Sequence, residues 1–126
     1  MKPFSNPIYT NVPFVVTKAT SNANGFLLPN ILFDQIKAVA TYPLKEFYSN
    51  DTPQASDYKF KMHKNAFLND KLTIQAQVIN SNPDKLKVSI IVTKSKKTSK
   101  TEETISSALF DFPLVEKSVT NRQLAS

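Results

Sequence analysis

Asn22, Ala23, Asn24 and Gly25 make a turn sequence, and an apolar stretch from Phe26 to Ala40 follows at once. Gly25 is the only glycine in 126 residues. A chain that uses glycine once is expected to place it where the backbone needs a positive φ or a close approach, so this turn is the first place to look for chemistry. Asparagine ahead of a helix is also a common turn or cap residue, and the sequence leaves both readings of Asn22 open. Other chemistries are closed off. With no cysteine there is no disulfide, thiolate ligand or thiol nucleophile, and His63, the single histidine, cannot build a zinc cluster. No metal site is expected, and His63 has no acidic partner in its stretch, so it receives no catalytic role.

A net charge of +6 and a pI near 9.6 suit a polyanionic partner, whether nucleic acid, an anionic membrane surface or a phosphorylated ligand. The distribution of charge decides among them. Lys94, Lys96, Lys97 and Lys100 fall in one serine- and threonine-rich stretch without aromatics, which reads as a solvated loop. Nucleic-acid surfaces interleave basic groups with stacking aromatics, whereas this chain has one arginine, Arg122, and no tryptophan. Nucleic acid is therefore ranked last among the partners. No run approaches the roughly 18 apolar residues of a membrane span, and the opening Met-Lys-Pro-Phe-Ser-Asn-Pro shows no apolar signal core. A cytoplasmic location is the expectation.

The elements that must position the turn follow from periodicity. VPFVVT, residues 12–17, is rich in valine and phenylalanine and predicts a strand with Pro13 at its start or on an edge. From Pro29 to about Tyr42, apolar residues at Ile31, Leu32, Ile36, Val39 and Ala40 recur as on a largely buried helix. Pro29 suits its first turn; Pro43 stops or kinks it, leaving Leu44 to Phe47 for one further turn. The period then changes to two. Tyr58, Phe60 and Met62 alternate with Lys59, Lys61 and His63, and Leu72, Ile74, Ala76 and Val78 alternate with polar residues. After the turn Asn80-Ser81-Asn82-Pro83-Asp84, Leu86, Val88, Ile90 and Val92 repeat the pattern, so these two strands form a hairpin. TISSALFDFPL, residues 104–114, is a last strand, and residues 116–126 form a polar tail. The expectation is one α+β domain, its core running from about residue 12 to 115, with an antiparallel sheet of five to six strands wrapped around one long helix. That description is the hotdog fold.

Three stretches, SNANGFLLPNILFDQIK, FKMHKNAFLNDKLTIQAQV and SSALFDFPLV, carry a likeness in order and spacing. The chain resembles the hotdog-fold acyl-CoA thioesterases of the short cytosolic acyl-CoA hydrolase type. The first stretch is similar to their asparagine-containing turn, glycine pair and helix start, the second to a strand, turn and next strand, the third to the final strand. In that family the thioester is hydrolysed at a dimer interface by an asparagine in the turn before the helix, a carboxylate on the partner subunit's helix and a backbone N–H at the helix start. A helix N-terminus offers free donors and a positive dipole end to developing negative charge.

Laid onto this sequence, the family asparagine matches Asn22, the glycine pair falls on Pro29 and Asn30, and the helix carboxylate falls on Lys37. Proline offers no N–H and lysine no carboxylate base. The resemblance therefore implies a displaced site, with Asp34 one turn earlier as general base, the Asn30 N–H as oxyanion donor and Asn22 orienting substrate or water. Lys37 then either holds Asp34 ionised across an i,i+3 spacing or grips an anionic acyl group; an ordinary ion pair on the helix is the plain alternative. Gly25 shapes the turn beside the substrate. Lys64 matches a basic position near the bound nucleotide, and Lys61 on the same stretch, with Lys59 and His63, is placed to meet CoA phosphates, although lone lysines on a strand are commonly just solvated. Asp70 matches a structural turn aspartate. The implied substrate is an acyl-CoA or acyl-carrier-protein thioester, with CoA entering as part of the substrate and no other cofactor, on a homodimer or dimer multiple. The second reading is a non-catalytic acyl-thioester-binding or structural hotdog protein, favoured by Lys37.

Overall fold

The computed structural model describes residues 9–48, 53–81, 84–95 and 102–113. Strand β1, Tyr9–Val15, leads through a short 3₁₀ turn at Lys18–Thr20 to helix α1, Pro29–Ala40, and a second 3₁₀ segment at Tyr42–Phe47. Strands β2, Asp57–Met62, β3, Lys71–Ser81, β4, Lys85–Ser95, and β5, Glu102–Pro113, follow. They join β1 in one five-stranded sheet of order β1-β3-β4-β5-β2, every pair antiparallel. With α1 laid on one face, this is the hotdog arrangement expected from the alternating periods.

Helix α1 begins where the sequence provides for it. Leu28 is the extended N-cap and Pro29 occupies the first turn, its fixed φ suited to helix and its missing N–H not needed there. At the far end the Thr41 hydroxyl donates to the Ala38 carbonyl at 2.7 Å, and Pro43 then tightens the chain into the 3₁₀ segment. Leu32, Ile36, Val39 and Ala40 form the fully buried stripe. Opposite them lie Ile74 and Ala76 of β3 and Val88, Ile90 and Val92 of β4, all without solvent exposure. Each of the larger side chains stabilises the fold by about 1.5–3 kcal/mol relative to exposure, so this layer is what anchors the helix to the sheet.

Register places the two faces of the sheet. Val88 pairs with Phe110 and Leu86 with Phe112 on the helix side; between them, on the outer side, Lys87 pairs with Asp111. The Lys87 ammonium lies 2.8 Å from Asp111 Oδ1, an ion pair without hydrogen-bond alignment, and the Lys85 ammonium lies 3.8 Å from Oδ2. A register shift between Val78 and Asn80 puts a bulge near the turn end of the β3–β4 hairpin. One expectation is corrected here. Lys94 does not sit in a solvated loop but on β4, half-buried, with its ammonium 3.2 Å from Asp70 Oδ2. Lys96, Lys97 and Lys100 lie outside the described residues, as do Asn82, Pro83 and the tail.

No helix among the described residues is long and apolar enough to cross a membrane. Among the same residues no three histidine, cysteine or acidic side chains gather as a metal site would need.

Candidate active site

The turn before α1 is closed by its own asparagine. Asn22 Oδ1 accepts the N–H groups of Asn24 at 2.9 Å and Phe26 at 3.0 Å, while the Asn22 N–H donates to the Phe26 carbonyl and the Gly25 N–H to the Asn22 carbonyl. Gly25 has φ +85°, the conformation for which the lone glycine was expected. The turn is tied to a second one at residues 66–70. Leu27 N–H donates to the Ala66 carbonyl at 2.9 Å, Leu68 N–H to the Gly25 carbonyl at 2.8 Å, and the Phe26 and Phe67 rings stand 4.9 Å apart. Asp70 holds that second turn, its Oδ2 accepting the Phe67 N–H at 2.9 Å as well as the Lys94 ammonium.

This bracing fixes the start of α1. The Leu28 N–H is spent on the Thr20 carbonyl, and those of Ile31 and Leu32 on the Leu28 carbonyl, while Pro29 has none. Among the described residues the Asn30 N–H is left as the free backbone donor of the first turn, in an exposed residue at the positive end of the helix. Asp34, one turn further on, is exposed on the same face and has no hydrogen bond or ion pair among the described residues.

The expected Asp34–Lys37 ion pair is not formed. The Lys37 ammonium instead lies 5.7 Å from the centre of the Phe33 ring, a cation–π contact. Lysine's long stem lets the charge settle over apolar surface while its head stays wet. Phe33 itself joins an aromatic cluster with Tyr58 at 5.2 Å, Phe60 at 5.0 Å and Phe110 at 6.2 Å. Beside this cluster a cavity of about 310 Å³ opens between the end of α1, the segment before β2 and the end of β5, lined by Lys37, Thr41, Ala55, Tyr58, Phe110 and Phe112.

The remaining basic residues separate. Lys64 is held by Glu103, Nζ to Oε2 2.6 Å, close in sequence to the Ala66 carbonyl that receives the Leu27 N–H. Lys61 is paired in register with Ser107 on the outer face of the sheet, away from α1, so the sheet separates it from Asn30 and Asp34. His63 Nε2 lies 2.8 Å from the Ser107 hydroxyl. The structure thus has Asn22 and Gly25 in the turn that precedes α1, where they pack against the 66–70 turn, has Asn30 and Asp34 in the first two turns of the helix, places Lys37 at a pocket near its end, and leaves Lys61 on the opposite face. Sequence reasoning missed the pocket's aromatic wall. Its trace was the period-two placement of Phe110 and Phe112 around Asp111 and of Tyr58 and Phe60, which reads only as core until the register is known.

No family model and no curated protein sequence matches this chain. Solved structures do match its fold. An acyl-CoA hydrolase from Staphylococcus aureus, solved with butyryl coenzyme A, coenzyme A and coenzyme A disulfide, superposes with a TM-score of 0.75 at 11% identity over 84% of this chain and 65% of its own. The chain therefore spans just under two thirds of that hydrolase. A hexameric acyl-CoA thioesterase gives 0.76 at 13% identity, covering 90% of this chain and 74% of the other. Zebra fish thioesterase superfamily member 2 gives 0.70 at 16% identity, covering 86% and 75%. The chain has the hotdog fold that these acyl-CoA thioesterases share.

Proposed function

We propose that this protein hydrolyses acyl thioesters of coenzyme A or of an acyl carrier protein, as a homodimer or dimer multiple with the site between subunits. The observation that supports this reading best is a backbone donor, the Asn30 N–H, and a carboxylate, Asp34, one turn apart on the exposed face of α1 and both without a partner among the described residues. In the reaction, the thioester oxygen takes the Asn30 N–H, and Asp34 removes a proton from a water as its oxygen bonds to the carbonyl carbon. The C–S bond breaks as the tetrahedral intermediate collapses, and the departing thiolate takes up the proton that Asp34 had removed, which returns Asp34 to its carboxylate form. Since Asn22 Oδ1 is spent within the turn, Asn22 acts through its amide N–H groups, which orient substrate or water. Lys37 and Lys64 are the proposed charge partners, Lys64 on leaving Glu103. The free edge of β2, with Tyr58 56% exposed, is where a second copy adds its own strand. The thioesterase neighbours, one with CoA ligands and one hexameric, support the same direction, and a cytoplasmic location is proposed with it.

The test is thiol release from acyl-CoAs ranging from acetyl to palmitoyl. Asp34→Ala is expected to lower the rate by about 10²- to 10⁴-fold, the range for loss of a general base. Asn22→Asp, which keeps the acceptor that closes the turn and removes the amide donors, separates orientation from folding. A wild-type rate untouched by Asp34→Ala removes Asp34 from the mechanism; no turnover of any acyl-CoA favours the second reading, an acyl-thioester-binding or structural protein. Lys37 supports that alternative, because a cation stands where the thioesterases resembled by this sequence carry a carboxylate.

A further inference from the structure

We infer that Lys37 makes the pocket at the end of α1 selective for a short acyl group that ends in a carboxylate. This rests on the reading of the site as one that receives acyl thioesters, and it names the acyl class. The pocket wall is mostly apolar, with Pro53, Ala55, Tyr58, Phe110 and Phe112 beside the uncharged polar Thr41 and Gln54, and Lys37 supplies the only charge among its described lining residues. Lys64 is paired with Glu103, Lys94 with Asp70, and Lys85 and Lys87 share Asp111, while Lys59 and Lys61 of β2 and Lys71 of β3 do not line this pocket. Lys37 has no carboxylate partner among the described residues and is held over the Phe33 ring.

An ammonium at the rim of an apolar, half-open cavity attracts an anion more strongly than the same charge in open water, because the effective dielectric is lower there. The ligand that satisfies both features has an apolar body and an anionic end. A cavity of about 310 Å³ is at the small end of ligand sites. A pocket at that end of the range suits a short chain, and six carbons ending in a carboxylate is the length tested. Lys37 stands two helical turns beyond Asn30, about 10 Å along the axis, so a thioester at the helix start directs such a chain toward it. A phosphate of CoA is the other source of an anion, but a lone cation above an aromatic wall fits it poorly, since phosphate recognition gathers several donors.

The experiment compares S-hexyl-CoA with S-(5-carboxypentyl)-CoA, non-cleavable thioethers of equal chain length, titrated calorimetrically into wild type, Lys37→Gln and Lys37→Arg, with CoA alone as a third ligand. The expected result is about tenfold or stronger preference for the carboxylated ligand in wild type, abolished in Lys37→Gln and kept in Lys37→Arg. Equal binding of the two thioethers by wild type, or a preference that survives in Lys37→Gln, overturns the inference while leaving the acyl-thioester reading intact. Loss of CoA itself in Lys37→Gln, with both thioethers weakened equally, assigns Lys37 to a phosphate and overturns it too. No binding of any of the three ligands by wild type overturns the acyl-thioester reading and the inference with it.

Discussion

The two ends of α1 are built on opposite principles. Ahead of its start, the Asn22 turn, closed by its own side chain around a positive-φ glycine, is sewn to the 66–70 turn through backbone hydrogen bonds and a ring contact. At its end, Lys37, Phe33 and Tyr58 meet around an open cavity with few directional ties. Hydrogen bonds fix a position to a few tenths of an ångström, whereas apolar walls tolerate changes of shape at small cost. A reacting carbonyl needs the first kind of surrounding, and a variable acyl chain needs the second.

Removing the support common to both ends breaks the contrast altogether. Ile36, fully buried under the middle of α1, is expected to cost about 2–5 kcal/mol as Ile36→Ala, read as a lowered denaturation midpoint at unchanged m-value. A smaller effect falls on the sewn end alone. At Gly25 an added Cβ would stand 3.7 Å from Leu68 Cβ, so there is room, and the expected loss of about 1–2 kcal/mol in Gly25→Ala comes from backbone strain at φ +85°. If the two ends differ as argued, this variant slows thiol release for every acyl length by a similar factor and leaves the length preference alone; a changed preference would show the ends to be coupled. The smallest effect concerns Lys64. Its pair with Glu103 is more than half exposed on the lysine side, so Lys64→Ala is expected to cost under about 1 kcal/mol, and less still at high salt. A marked loss of CoA binding in the same variant would show that Lys64 leaves Glu103 for a phosphate.

Most of the fold was legible in the sequence because its elements carry strong local signals. Pro29 and the stripe Leu32, Ile36, Val39 and Ala40 mark the helix to its first residue, and the alternation in β2, β3, β4 and β5 marks both strand and face. The site was legible only in part. Gly25 declared its turn by being alone, while Asn30 was picked out through the family resemblance. The partners of Lys94 and Lys37 did not. Lys94 lies in a lysine-rich run that reads as solvated, and its carboxylate, Asp70, is 24 residues away in sequence. Asp34 and Lys37 have ion-pair spacing, but an aromatic ring one turn back on the same helix offers Lys37 a competing surface. The pocket draws on residues from Lys37 to Phe112, a union that exists only once the sheet has its order.

The Lys87–Asp111 pairing bears on how the chain reaches this structure. Along β5, Phe110, Asp111 and Phe112 alternate between the two faces, so a pairing with β4 displaced by one residue would turn the carboxylate toward the helix and send both rings into water. Burial of an unneutralised carboxylate costs several kcal/mol, and loss of two aromatic side chains from the interior adds to it. Asp111 therefore acts as a spelling check during assembly: the misaligned hairpin is rejected by its own charge, and the correct one is recognised by two lysines waiting on the outer side.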